Sequence, residues 1–184
     1  MELKIETSAR HLHLTKEDFK TLFGDIDPTP IKDLSQQDKA CQELVEAVGS
    51  KSSLKNIRLI VPFREGSQLE ISKTDSIALG VEAPLKLSGD LPGASIKIVG
   101  PSGTIEKDIA IIAKRHLHLP PQEAQKLKLE NNDYVEVSVL GDRQLTFDNI
   151  VVRIADNFAP TVHVDTDEAN AAGLSFDATG ELII

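Results

Sequence analysis

Short alternating segments dominate the pattern of hydrophobic and polar positions along this chain. The apolar runs are rich in Val and Ile and are bounded by turn residues, which is typical of β-strands. They predict strands at residues 57–61, 68–71, 95–99, 134–140, 145–147, 151–154 and 162–164, and the alternation over 1–6 adds another. Helical spacing predicts helices at 16–23, 38–48, 122–127 and 167–172. The pattern predicts a mainly β protein made of small β-barrels capped by short α-helices.

An internal repeat is the strongest single signal in the sequence. Arg-His-Leu-His-Leu occurs at residues 10–14 and again at 115–119, a displacement of 105 positions (115 minus 10). An alternating or apolar run precedes each copy. A helix start follows each copy, at Thr15 with Asp18 in the first and at Pro120-Pro121 in the second. The repeat predicts two structurally related halves.

Composition and charge narrow the classes of function. The 184 residues carry a formal net charge of −9, which opposes non-specific binding of nucleic acid. The single cysteine, Cys41, excludes an intramolecular disulfide. It lies in a predicted helix without a neighbouring histidine, which favours a buried side chain over a nucleophile. No apolar run approaches the roughly 20 residues of a membrane span, and the N-terminus lacks a signal-peptide core. We expect a cytoplasmic protein that binds neither nucleic acid nor membrane.

The histidines are concentrated in the repeat. Four of the five lie in its two copies, as His11 and His13 and as His116 and His118, and the fifth is His163. Residues i and i+2 of a strand project to the same face about 7 Å apart, so each His-x-His can direct two imidazoles at one metal ion. The alternative is a merely polar strand face. It leaves unexplained why the repeat retains both histidines and the preceding arginine.

The number of ligands points to a sixth residue. A catalytic zinc commonly takes three protein ligands, so five histidines need one more residue to make two sites. Glu70 is the best acidic candidate because it lies on a predicted strand among apolar neighbours. A solvent-facing glutamate is the alternative, and spacing leaves both open. Asn170 could point toward a site beside His163, at the start of a helix that Asp165 or Thr166 caps.

Four arginines bear on anion chemistry: Arg10, Arg58, Arg64 and Arg115. A guanidinium near a metal suits a phosphate or a developing oxyanion, since its fork binds two oxygens at once. Each arginine could instead pair with one of the carboxylates, and for any single arginine that interpretation is the stronger. No serine nucleophile elbow is present, so covalent catalysis is not supported.

Together these residues resemble a known family. The repeated Arg-His-Leu-His-Leu, Phe63-Arg64 before the Gln-Leu-Glu-Ile-Ser of 68–72, Thr74-Asp75, Leu-Ser-Gly-Asp-Leu at 87–91 and the acidic segment 163–171 are similar, in order, to the phosphate propanoyltransferases (PduL-type phosphate acyltransferases). The resemblance implies two small β-barrels, residues 1–9 with 114–184 and residues 10–113, with the active site between them. It also implies two zinc ions; imidazole-rich sites accept other divalent transition metals as well.

The resemblance also assigns roles to residues. It implies that His11, His13 and Glu70 hold one metal, and that His116, His118 and His163 hold the other. Arg64 is implied as the residue that binds phosphate and stabilises charge. The residues implied near coenzyme A are Ser8, Arg58 and Asn170. The first strand is expected to begin at about Leu3. We therefore expect the N-terminal extension that targets some members to a microcompartment to be missing, and the enzyme to be free in the cytoplasm.

The expected activity is conversion of acyl-CoA (propanoyl- or acetyl-CoA) and phosphate into acyl phosphate and CoA, or the reverse. Phosphate would attack the thioester directly, with metal assistance and without an acyl-enzyme. Two alternatives remain: a dinuclear metal phosphoesterase, which would be expected to use more acidic ligands, and a non-catalytic metal-binding β-barrel. The expected partners are the four reactants, with homo-oligomerisation left open.

Overall fold

The computed structural model describes residues 1–34, 37–175 and 177–184. This part of the chain divides into two compact units, residues 1–9 with 114–184 and residues 10–113. The elements are, in chain order, β1 (Glu2–Ser8), β2 (His11–His13), α1 (Lys16–Phe23), β3 (Pro30–Asp33), β4 (Lys39–Val48), β5 (Ser53–Val61), β6 (Gln68–Glu70), α2 (Lys73–Leu79), β7 (Leu85–Lys86), β8 (Ala94–Val99), β9 (Thr104–Ala113), β10 (His116–Leu119), α3 (Pro121–Leu127), β11 (Tyr134–Val139), β12 (Leu145–Ile154), β13 (Thr161–Asp165), α4 (Thr166–Ala172) and β14 (Thr179–Ile183).

The unit of residues 1–9 and 114–184 is built on a closed barrel. Among its described residues, six strands follow one another around the ring in the order β1, β13, β10, β12, β11 and β14, and β14 pairs back onto β1. Apolar residues alternate along the strands and fill the interior, as Leu117 and Leu119 do on β10 with none of their surface exposed. Burying one such side chain is worth about 1.5–3 kcal/mol. Alternation therefore sends the neighbouring residues of β10 to the outer face.

The unit of residues 10–113 contains a second closed barrel. Within its described residues the ring runs β4, β5, β2, β6, β9 and β8, and β8 closes it by pairing with both β9 and β4. β3 extends the sheet beside β4, and β7 lies beside β9. Leu12, Leu59 and Leu69 are completely buried inside. The mainly β class and the two capped barrels predicted from the sequence are confirmed.

The helix predicted at 38–48 is wrong. Those residues form the strand β4 (Lys39–Val48), which pairs antiparallel with β5 and β8. The segment is rich in residues with good helix propensity, but pairing on both edges and burial of Cys41, Val45 and Ala47 override that weak preference. Cys41 is fully buried as expected, although on a strand rather than a helix.

Two further differences concern element boundaries. The strands predicted at 145–147 and 151–154 are a single strand, β12, whose alternation is interrupted where Asn149 has a φ of 55°. The register with β11 also shifts between Val135 and Val137, which is the mark of a β-bulge. The helix α2 was not predicted. It begins at Lys73, directly after its N-cap residue Ser72, which forms a capping box with Asp75.

Among the described residues, no helix is long and apolar enough to cross a membrane.

Candidate functional site

The two short strands that carry the repeat histidines, β2 and β10, differ from ordinary surface strands because the side chains on their outer faces are buried. On β2, Leu12 enters the barrel interior and His11 and His13 lie on the other face, yet both imidazoles are buried, with 8% and 1% of their surface exposed. On β10, His116 and His118 are likewise buried, at 8% and 6%. A polar strand face exposed to solvent would not bury its histidines, so the interpretation as mere surface is wrong.

Strand register completes a three-histidine group in the unit of residues 1–9 and 114–184. β13 lies antiparallel to β10, and His163 is directly opposite His116. One ligand atom from each of His116, His118 and His163 lies within 4.8 Å of the others. The rings of His116 and His163 are stacked, with centroids 5.1 Å apart. The family resemblance implied that His163 joins this pair, and the structure brings the three side chains together.

The same register produces a second group in the other unit. β6 lies antiparallel to β2, and Glu70 is directly opposite His11. Ligand atoms of His11, His13 and Glu70 all lie within 4.8 Å of one another. Nε2 of His11 is 3.6 Å from Oε2 of Glu70, and Glu70 is only 7% exposed. The alternative of a solvent-facing Glu70 is therefore wrong.

Burial keeps imidazoles of both groups uncharged. Burial lowers the pKa of His118 to about 2, with further lowering by His116, His163 and Arg153. Burial also lowers the pKa of His13 well below its usual value, helped by the nearby His11 and Arg64. Neutral imidazole is the form that binds a metal ion.

Hydrogen bonding shows which nitrogens can serve as ligands. Nδ1 of His116 lies 2.9 Å from the carbonyl oxygen of Lys114, so it must donate, which leaves the ring's lone pair on Nε2. Among the described residues, Nδ1 of His13 is the one buried side-chain nitrogen or oxygen that has no hydrogen-bond partner. A buried polar atom without a partner is costly, and a bound cation would satisfy it. The donor sets therefore fit a divalent metal with imidazole and carboxylate ligands.

Arg64 is tied to the second group through a serine. Its backbone N–H donates to the carbonyl of Leu14 at 2.9 Å, and its Nη1 donates to Oγ of Ser88 at 3.1 Å. Oγ of Ser88 in turn donates to Oε1 of Glu70 at 2.5 Å. The structure thus links the predicted phosphate-binding arginine to the predicted ligand carboxylate by one hydroxyl.

Comparison with known proteins identifies the family of this chain. Residues 4–175 match the family model described as phosphate propanoyltransferase. The chain belongs to the phosphate propanoyltransferase family.

Curated relatives share the similarity over almost the whole chain. The phosphate propanoyltransferase of Clostridioides difficile is 44% identical, over 98% of this chain and 88% of its own length. That of Thermotoga maritima is 45% identical over 97% of this chain and 86% of its own length. That of Listeria monocytogenes is 40% identical over 98% of this chain and 87% of its own length.

The arginines of the repeated phosphate propanoyltransferase motif pair with carboxylates. Nε of Arg10 lies 3.1 Å from Oδ2 of Asp75, and Nε of Arg115 lies 3.1 Å from Oε1 of Glu168. Each acid also completes the capping box of a helix, α2 or α4. For Arg10 and Arg115 the carboxylate-pairing alternative is confirmed. These arginines join each histidine strand to the helix that follows the opposite strand.

The residues predicted near coenzyme A lie on three different elements, β1, β5 and α4. Arg58 lies opposite His11 on β5, and its guanidinium donates to the carbonyl of Cys41. Ser8 lies at the end of β1, opposite Asp165. Asn170 is exposed on α4 and belongs to neither histidine group.

Sequence reasoning missed three residues beside the candidate sites of this family member. Ser88 lies in the segment 87–91, which contributed only to the family resemblance. Phe158 packs its ring against that of His118, with centroids 4.0 Å apart, and no sequence pattern indicated it. Glu6 lies opposite His163 on β1, with its Oε2 3.7 Å from Nε2 of that histidine. The alternation of residues 1–6 predicted the strand β1, but alternation alone could not predict that β1 pairs with β13.

Proposed function

We propose that this protein is a phosphate acyltransferase that interconverts acyl-CoA and phosphate with acyl phosphate and CoA. The single observation that carries this proposal is the pair of compact donor groups, each centred on one copy of the repeat, in a chain of the phosphate propanoyltransferase family. We propose propanoyl-CoA or acetyl-CoA as the acyl donor. The names of the relatives support the propanoyl group.

We propose that His11, His13 and Glu70 hold one divalent metal ion and that His116, His118 and His163 hold a second. Neutral imidazoles, the partnerless Nδ1 of His13 and a buried carboxylate support this assignment. Zinc is the proposed metal because it favours nitrogen-rich sets with an open position. When bound, such an ion polarises carbonyl and phosphate oxygens and offsets negative charge.

Arg64 is proposed to bind and orient phosphate. Its guanidinium has five N–H donors, so a bond to Ser88 is compatible with holding two oxygens of a phosphate. Ser88 and the backbone bond to Leu14 restrict its position, which lowers the entropy cost of orienting the nucleophile. Ser8, Arg58 and Asn170 are proposed as contacts of CoA.

The proposed reaction is a direct transfer. A phosphate oxygen attacks the thioester carbonyl carbon and forms a new C–O bond. The C–S bond then breaks, and its electron pair leaves with sulfur as the thiolate of CoA. The chain's own thiol is an unsuitable nucleophile, because Cys41 is fully buried and burial raises its pKa.

A thiol-release assay tests the proposal. Purified protein is mixed with propanoyl-CoA, with and without phosphate, and free CoA thiol is followed together with acyl phosphate. Release that requires phosphate and yields acyl phosphate supports acyl transfer. Thiol release without phosphate would indicate thioester hydrolysis, and no release would indicate a binding protein; either result would contradict the proposal.

A matched arginine pair sharpens the assay. Arg64→Gln should raise the KM for phosphate and lower kcat/KM by roughly 100-fold, as expected for loss of a charged contact to the reacting group. Arg143→Gln removes an exposed arginine and should leave both constants within about twofold. Equal behaviour of the two variants would remove Arg64 from the proposed phosphate site.

A further inference from the structure

A carboxylate approaches the three-histidine group from the strand beside it. β1 lies parallel to β13, and this register places Glu6 directly across from His163. The two oxygens of Glu6 have different neighbours. Oε1 lies 2.6 Å from Nζ of Lys4, whereas Oε2 lies 3.7 Å from Nε2 of His163. The carboxylate is 28% exposed, and the imidazole of His163 is 14% exposed.

The separation of these atoms matches the other group. Nε2 of His11 and Oε2 of Glu70 are 3.6 Å apart, and Nε2 of His163 and Oε2 of Glu6 are 3.7 Å apart. These distances are too long for hydrogen bonds. Two ligands of a four-coordinate zinc ion, each bonded at about 2.0–2.1 Å, lie roughly 3.3 Å from each other. Both pairs therefore have nearly the spacing of two ligands on one ion. Glu6 lies outside the group of donor atoms that are all within 4.8 Å of one another, so its side chain would have to move closer to His116 and His118 to share their ion.

The carboxylate stands at a different position in each of the two units. In the unit of residues 10–113, Glu70 faces the first histidine of the repeat, and Ile111 lies beside Glu70 on the parallel strand β9. In the other unit, His163 takes the place of Glu70, and Glu6 takes the place of Ile111. Glu6 and Ile111 are also 105 positions apart (111 minus 6), the displacement of the repeat. Each unit thus has one carboxylate at these two positions: Glu70 in one unit and Glu6 in the other.

Charge gives this exchange a physical meaning. A divalent ion held by two neutral imidazoles and one carboxylate keeps one net positive charge. Three neutral imidazoles would leave two positive charges in a largely buried site, which is costly. A carboxylate on the neighbouring strand restores the balance.

We propose that Glu6 is a fourth donor to the metal ion of the three-histidine group, through Oε2. This inference rests on the metal binding proposed above and adds a ligand to one of its two sites. Lys4 pairs with Oε1, and Oε2 is the oxygen nearer His163. With Glu6 included, the donor sets of the two units carry equal formal charge.

Metal affinity tests the inference independently of activity. Zinc binding to the full chain is measured by competition with a chromophoric chelator, for wild type and for Glu6→Gln. We expect loss of Glu6 to lower the affinity for one of the two zinc ions by at least about 10-fold and to leave the affinity for the other unchanged. Substitution with cobalt in a His13→Ala background, where only the three-histidine group remains intact, should show a changed visible absorption spectrum in Glu6→Gln.

Two matched controls separate ligation from strand stability. Glu2→Gln changes another carboxylate of β1, which accepts a hydrogen bond from Thr179. Lys4→Gln removes the ion pair but keeps Glu6. Both should bind zinc within about twofold of wild type, since neither contributes a donor. If Glu6→Gln does not fold, Glu6→Asp carries the test, and its shortened carboxylate should weaken the same zinc ion several-fold.

The outcomes are distinct. Wild-type affinity and cobalt spectrum in Glu6→Gln would overturn the inference while leaving the proposed metal sites intact. An equal loss in Lys4→Gln would also overturn it, because the effect would then arise from the ion pair on β1. A wild-type chain that binds neither zinc nor cobalt would instead refute the proposed metal sites, and the inference with them.

Discussion

Glu70 and His163 occupy equivalent positions in the two barrels. Each lies directly opposite the first histidine of its repeat, Glu70 across from His11 and His163 across from His116. Each is followed two residues later by a helix cap, Ser72 or Asp165, and three residues after that by the acid of a capping box. Two copies of one structural unit therefore carry different candidate donors, a carboxylate and an imidazole, at the same place.

This equivalence predicts the result of exchanging the ligand. Glu70→His places an imidazole where the other unit already has one, so the chain should still bind two zinc ions. Glu70→Leu removes the donor and should lower the affinity for one zinc ion. The loss should exceed the roughly 10- to 100-fold that is typical when a residue hydrogen-bonded to a metal ligand is removed. Zinc content after dialysis against a chelator distinguishes the variants. Equal zinc retention in the leucine variant would exclude Glu70 as a ligand.

The equivalence also marks the limit of what the sequence could predict. The repeat and its alternation were enough to predict the paired histidines, because both depend on residues close together in the chain. The choice of Glu70 needed the family resemblance, since it follows from the register between β2 and β6. Ser88 and Glu6 were missed for the same reason: each reaches its group from a separate segment. The helix predicted at 38–48 failed because pairing with two strands outweighs local propensity.

The bridge from Arg64 to Glu70 predicts a role for Ser88. Ser88→Ala removes one hydrogen bond to a guanidinium and one to a carboxylate, each worth about 1.5–3 kcal/mol when a charged group takes part. We expect kcat/KM for phosphate to fall by roughly 10- to 100-fold, with zinc content unchanged. Steady-state kinetics with varied phosphate measures the effect. The control is Ser95→Ala, at an exposed position on β8, which should behave as wild type.

The ion pair between Arg115 and Glu168 predicts an effect on stability. Glu168 caps α4 through the backbone N–H of Asp165 and also binds Arg115. Glu168→Ala should lower the free energy of unfolding by about 1–2 kcal/mol, since it removes a cap and a charged contact. Urea denaturation followed by circular dichroism measures the change. Glu123→Ala, which removes the i,i+3 pair with Lys126, should change it by less than about 0.5 kcal/mol. Similar losses of unfolding free energy in both variants would show that the helix cap and the Arg115 contact of Glu168 add no more stability than an exposed ion pair.

The lowered pKa values predict how the stability of metal-free protein depends on pH. His118 and His13 stay neutral in the folded state. In the unfolded state both can take up a proton once the pH falls below about 6.5, the pKa of an unperturbed histidine. The unfolded state therefore binds more protons, and stability falls as pH decreases from about 6.5. Each histidine adds up to about 1.4 kcal/mol per pH unit.

Urea denaturation of chelator-treated protein between pH 7.5 and 5.5 measures this slope. His118→Gln removes one contributing histidine, so its slope should be smaller by up to about 1.4 kcal/mol per pH unit. A slope equal to that of wild type would mean that His118 is not held neutral by burial in the folded protein.

Metal stoichiometry tests the central claim most directly, namely that each copy of the repeat builds one metal site. Zinc per chain is measured by elemental analysis on purified wild-type protein, His13→Ala and His118→Ala. The account predicts two ions in wild type and one in each single variant, because each variant disables one group. No zinc in wild type, or two ions in both variants, would contradict it.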